Sequence, residues 1–410
     1  MGRHDFHHVQ VVLVKIFLQF MLRSQSLNKD SLQRVLLAVS IVNLLLVSLL
    51  GLVLRSVPVF GGLPLPYDNF LHAHSHFAFG GWATPAIVWM VMFYFPEVKA
   101  NVSYSHWRNI IVLMFVSAYG MLLSFPFKGY GTVSIIFSTL SIIATYYLAT
   151  VVWKALKSSS ATSARFLKAA LVFLVVSSFG AFAMGPLMAN GHKGTVLYFD
   201  AIYFYLHFQY NGWFTFAVLS MVYRQMEVNN VERYGTRTFI FLAAGCVLSY
   251  SLSVLWSGPG PAFNIIGEAG ALLQVAGLVY FLAGYFRLKT TGFIGHLAIF
   301  AFCLKIMLQA ASGFQPVAML AYGHRSFIIA YLHLVMLGFV TLFVFATILK
   351  VYKSVEKQKF SLFLFLFTFV VTELLLVVGP RFSSYNLWLF VLSSPFPVSI
   401  FLLFTRLRSN

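Results

Sequence analysis

Runs of about 20 apolar residues, almost free of charge, recur from residue 33 to residue 405 and leave only short polar joints between them. That pattern selects the solvent before anything else. A chain of 410 residues that is 60% hydrophobic and only 9% charged cannot cover a globule of its own size with polar surface, so lipid must do so. Lipid offers the backbone no hydrogen-bond partners, and apolar runs without strict alternation satisfy themselves as helices rather than as a closed barrel. The expected fold class is all-α: a polytopic membrane helix bundle with about 12 transmembrane helices.

Spans are expected near 33–55, 70–95, 107–126, 130–153, 166–188, 199–223, 238–256, 263–286, 292–313, 325–349, 360–379 and 385–405. Turn signals separate them, among them Gly61-Gly62, Gly129-Tyr130-Gly131, Gly191-His192-Lys193-Gly194 and Ser257-Gly258-Pro259-Gly260-Pro261. None of the joints could house a soluble domain, so residues 33–410 read as a single transmembrane domain. Residues 1–32 form a cytoplasmic N-terminal segment. Its apolar stretch 9–22 is broken by Gln10, Lys15 and Gln19, too short to span, and expected as an interfacial helix. No repeat of 20 to 50 residues is visible.

The net charge of +18 would suggest nucleic acid in a soluble protein. Here 22 of the 28 Lys and Arg residues fall in the termini and alternate loops. Five, Arg55, Lys128, Lys193, Arg325 and Arg381, fall on the opposite side, and Lys305 lies within a span. By the positive-inside rule this places both termini in the cytoplasm, and the basic excess reflects topology in a cytoplasmic (inner) membrane, not a nucleic-acid partner. Membrane lipid is the expected surrounding partner. Cys246 and Cys303 lie in different apolar segments and read as small core residues without a disulfide framework.

Ionisable side chains inside spans are costly and commonly mark function. The second span carries His72, His74 and His76, the sixth His207 and the tenth His333. At about 1.5 Å per residue, His76 lies roughly 12 Å below Asp68, His207 roughly 10 Å below Asp200 and His333 roughly 12 Å below Arg325, so the three could share one level. His72 and His76 lie on one helix face, while His74 points about 160° away, so at most two of them share a site. Neutral imidazole suits iron and copper without a counter-charge. Gly80, Gly81, Gly212 and Gly338 follow the histidines and would open space for a flat macrocycle or let helices pack closely. Phe77, Phe79, Trp82, Tyr210, Trp213 and Tyr331 could wall it. The plainer reading of each histidine is a hydrogen-bonded packing residue, as for Gln209, Asn211, Gln274 and Gln309. Glu268, Lys305 and Glu373 are further buried candidates, on a proton path or as neutralised side chains.

The three histidine stretches, His74-Ser75-His76-Phe77-Ala78-Phe79-Gly80, the one around His207, and His333-Leu334-Val335-Met336-Leu337-Gly338, resemble the haem-copper oxidase subunit I superfamily. The likeness extends to its nitric oxide reductase branch and to the nitric-oxide-response (NnrS-type) membrane proteins. It covers the whole chain in topology and three short stretches in motif. It implies a haem b clasped by His76 (or His72 or His74) and His333, and a copper-ligand place at His207, so that metal would fall to His76, His207 and His333. The departures limit the implied chemistry. Tyr331 stands where the oxidases have a further histidine, Asn211 follows His207 at four residues, and the seventh span has no histidine, so a three-imidazole copper centre cannot be assembled. The resemblance therefore implies a haem-binding protein of respiratory electron transfer or nitric oxide response, with a quinol or cytochrome donor and a diatomic gas ligand. Oxygen reduction with proton pumping is not expected. The rival expectation is a transporter or channel for protons or a small solute that uses His72, His76, His207 and His333.

Overall fold

The computed structural model describes residues 28–62, 66–289, 291–352, 355–379 and 383–408, all helix and connecting turns with no strand among them. The segment 9–22 lies outside the described residues. The helices are α1 (Lys29–Phe60), α2 (Tyr67–Tyr94), the short α3 (Pro96–Asn101), α4 (Tyr104–Lys128), α5 (Thr132–Ala155), α6 (Thr162–Ala189) and α7 (196–228). They continue with α8 (Gly235–Ser257), α9 (Pro261–Tyr285), α10 (Phe293–Ala311), the short α11 (Gln315–Gly323), α12 (Arg325–Val351), α13 (Val355–Val378) and α14 (Tyr385–Thr405). Eleven of the described helices, all but α3, α7 and α11, are long and apolar enough to cross a membrane, which makes this a multi-pass membrane protein. The turn glycines end or separate helices where the sequence reading put them, with positive φ at Gly61, Gly129, Gly191, Gly194, Gly258 and Gly260.

α7 differs in a way that burial explains. It runs unbroken from 196 to 228, yet His207, Gln209 and Asn211 hold its hydropathy below that of the eleven. Every residue from 207 to 223 is buried by protein, so this helix has no need of a lipid-compatible surface. α2 and α12 share the central position, with 78% and 61% of their apolar windows buried against 50% or less for the others. Hydrogen bonds tie the three together. Trp82 on α2 donates to Thr341 on α12 (3.3 Å), Trp213 on α7 donates to Thr84 on α2 (3.4 Å), and Tyr331 on α12 donates to Asn211 on α7 (3.2 Å).

These central helices are three versions of one unit. Each carries His-x4-Gly-aromatic-x-Thr: His76, Gly81, Trp82, Thr84; His207, Gly212, Trp213, Thr215; His333, Gly338, Phe339, Thr341. Each widens into a π-turn just after the histidine, over Ala78–Ala83, Phe208–Phe214 and Leu334–Thr341. A π-turn leaves carbonyls out of step with the α ladder. Thr215 and Thr341 take up those five residues back, at Tyr210 (2.6 Å) and Met336 (2.8 Å). In α2 the missing N–H of Pro85 leaves the Gly81 carbonyl to Asn43 of α1, which donates to it at 2.6 Å. The copies recur roughly every 130 residues, far outside the 20 to 50 residue periods in which no repeat was seen.

Candidate functional site

The three related histidines do not converge on one centre. Each sits in a different compartment between the central helices and their outer neighbours. Among the described residues no three His, Cys, Asp or Glu side chains come together as a metal-holding group, so His76, His207 and His333 are not assembled into one site.

The compartment between α1, α2, α12, α13 and α14 holds His74 and His333. His74, on the face of α2 opposite His72 and His76, turns its Nδ1 to the Val47 carbonyl of α1 at 3.1 Å. The α1 backbone passes so close that a Cβ on Gly51 would meet the His74 ring at 3.2 Å. Across from it, His333 pairs its Nδ1 with Glu373 Oε1 of α13 at 3.0 Å. The two imidazoles lie within electrostatic reach of each other and His74 within reach of Arg55, which itself faces Glu373, Tyr67 and Tyr385. Arg55 also donates to Ser393 of α14. Glu373 Oε2 is buried and accepts no hydrogen bond from any described residue. In both histidines an acceptor holds Nδ1–H, which fixes the tautomer and leaves the Nε2 lone pair unused by any described residue.

His207 is the opposite case. Its Nε2–H donates to the Cys246 carbonyl at 2.8 Å, and its Nδ1 accepts from the Asn211 amide and faces the Ser253 hydroxyl, each at 3.1 Å. Neither ring nitrogen is free for a metal. Beside it Lys305, only 1% exposed, lines a cavity of about 10 Å³, room for the centre of about one water, together with Asn211, Thr215, Cys246 and Gln274. No described carboxylate forms an ion pair with Lys305. Gln274 and Gln309 both donate to Ser249 Oγ, at 2.7 and 3.0 Å, and their carbonyl oxygens are left unpartnered.

His72 and His76 share the remaining compartment with Tyr130, whose hydroxyl lies 3.0 Å from His76 Nε2, and the His76 ring stacks on Phe125. The helix geometry expected for these three histidines is thus realised, and it separates His76 from His333.

Other expectations are corrected by packing. Glu268 is exposed rather than buried. Two of the glycines after the histidines serve helix contact: a Cβ on Gly212 would strike Phe173 at 2.4 Å, and one on Gly338 would strike Phe369 at 2.8 Å, so neither opens room for a macrocycle. Cys246 and Cys303 are free, as expected. His74 was legible as a candidate but not separable from its neighbours, because the direction of α1 and α12 around α2 is not written in the local pattern.

No family model matches this chain, and no curated protein matches it.

Proposed function

We propose that this is an integral membrane haem protein in which His74 and His333 would hold one haem b, a site of the kind found in haem-copper oxidase subunit I. One observation carries the reading: of the interior histidines, these two face one compartment from different helices, each with Nδ1 anchored and Nε2 open. The donor set fits the group, since imidazoles anchored through Nδ1 with Nε2 open are ligands that haem iron takes. His74 thereby replaces His76, and His72 falls with it.

A bound haem would supply one-electron exchange. The chain's own residues set the conditions for it. Glu373 orients the His333 ring by accepting its Nδ1–H, and Val47 holds the His74 ring in place. Among the described residues, Arg55 is a cation of the compartment able to meet a propionate. With α7 counted as a span, the bundle has twelve, and the Lys and Arg asymmetry puts both termini in the cytoplasm of an inner membrane. Electron transfer from a quinol or cytochrome donor, or response to nitric oxide as a diatomic ligand, follows from the resemblance. Copper is not part of this reading, since His207 spends both nitrogens on protein.

The test is an absorption spectrum of the purified protein, reconstituted with haem. A Soret band is expected that His74→Ala and His333→Ala each abolish and His207→Ala leaves intact. A preparation that stays colourless, or a band that survives both substitutions, overturns the reading.

The Lys305 compartment favours a second reading, a path for protons or a small solute, because a buried cation beside unpartnered amide oxygens and a water-sized cavity is an unusual thing to keep in a membrane interior. Proteoliposomes would then show proton flux that Lys305→Met removes, with no dependence on His74.

A further inference from the structure

The compartment holding His72 and His76 plays no part in the haem reading, yet it has its own chemistry. α4 carries Pro126 near its end and closes on Gly129, whose φ of 52° disfavours any side chain. A Cβ there would also strike Asn69 of α2 at 2.6 Å. Only glycine lets the chain turn this tightly against α2, and the turn drops Tyr130 onto the histidine face. The Tyr130 ring centroid lies 4.7 Å from that of His72, and its hydroxyl 3.0 Å from His76 Nε2.

His72 and His76 are four residues apart, so both imidazoles project from one face of α2, with ring centroids 6.5 Å apart. Two imidazoles at this spacing chelate one metal in many helical sites, where each nitrogen lies about 2.0–2.1 Å from the ion. Coordination brings the rings slightly nearer than they stand here, a change that small χ rotations supply. The third donor in reach is a phenol, which is why no trio of His, Cys, Asp and Glu marks the place. Asp68 and Arg325 lie within electrostatic reach of His72, with opposite effects on a cation, and Tyr198 and Tyr205 of α7 face Tyr130. Both histidines are only partly buried, and Tyr130, in the turn between α4 and α5, is 48% exposed.

We propose that His72, His76 and Tyr130 form a binding site for a divalent transition cation, copper(II) most tightly, separate from the His74 and His333 compartment and independent of whether haem binds there. Imidazole and phenolate donors suit copper(II) and zinc(II), and copper(II) stands highest among divalent first-row ions.

The experiment titrates full-length purified protein with copper(II) and reads stoichiometry after desalting and nitrogen couplings by electron paramagnetic resonance. Wild type is expected to hold one copper with two coupled imidazole nitrogens. His72→Ala and His76→Ala are each expected to weaken binding at least tenfold and leave at most one coupled nitrogen, Tyr130→Phe to weaken it less, and His74→Ala to leave it unchanged. His4, His7 and His8 in the N-terminal segment are a second place copper could bind, so their joint replacement by alanine is expected to preserve the signal. His72→Asn and His76→Gln serve if an alanine variant does not elute as a folded species. Equal copper content and couplings in wild type and the His72 and His76 variants, or loss only in the tail variant, would overturn the site.

Discussion

The compartments on either side of α12 are built from related helices and treat their histidines in opposite ways. On the α1 side, His74 and His333 each give one ring nitrogen to the protein and keep the other. On the α8 side, His207 gives both, to Cys246 and to Asn211 with Ser253, and Lys305 stands next to it as a buried amine. Sharing a motif therefore does not mean sharing a role. What separates the two is the partners that the outer helices bring: a backbone carbonyl and a carboxylate on one side, and on the other enough donors and acceptors to saturate the ring. Saturation converts a candidate ligand into a packing residue, because a hydrogen bond on the lone pair must be broken before a metal can take it.

This contrast breaks most visibly within α2 itself. His74→Ala is expected to remove the entire Soret absorbance and His76→Ala to leave it, and a spectrum of the two purified variants would reverse the assignment if the outcomes were exchanged. Next in size is Lys305→Met. An uncompensated buried cation is expensive, so this replacement is expected to raise stability by about 1–4 kcal/mol, read as a higher unfolding midpoint in detergent. A fall in stability would mean that the cation has a partner. Glu373→Gln sharpens the other compartment. Loss of the charged acceptor on His333 is expected to lower haem affinity about 10–100-fold and shift the midpoint potential upward, measured by haem competition and redox titration. The smallest effect concerns the framework the compartments share. Trp213→Phe should cost about 1 kcal/mol, since it removes one buried hydrogen bond to Thr84 and reproduces what Phe339 already is in the third copy.

Much of this architecture was open to reading from residue types alone, and the reason lies in the solvent. Hydropathy and the sidedness of Lys and Arg are properties of segments, so the helical bundle, the places of the turns and the presence of His207 and His333 on separate central helices could be read directly. The helical angle that sets His74 against His72 and His76 was equally legible, being fixed by 100° per residue. The three-fold motif is present in the sequence too, at a period of roughly 130 residues. A span was expected at 199–223 as well, whereas α7 is not among the eleven described helices apolar enough to cross a membrane, and protein buries its residues 207–223.

Tertiary structure decided which of those histidines keeps a free nitrogen. That depends on Val47, Glu373 and Cys246, from three other helices, and on Tyr130, from the turn between α4 and α5, all of which stand near no histidine in sequence. It also decided that Gly212 and Gly338 fill contacts rather than make room, and that Glu268 faces outward while Lys305 does not. A local pattern fixes the direction of a side chain relative to its own helix. What waits in that direction is set by how the helices are arranged around one another, and the chemistry of an imidazole is set by what waits there.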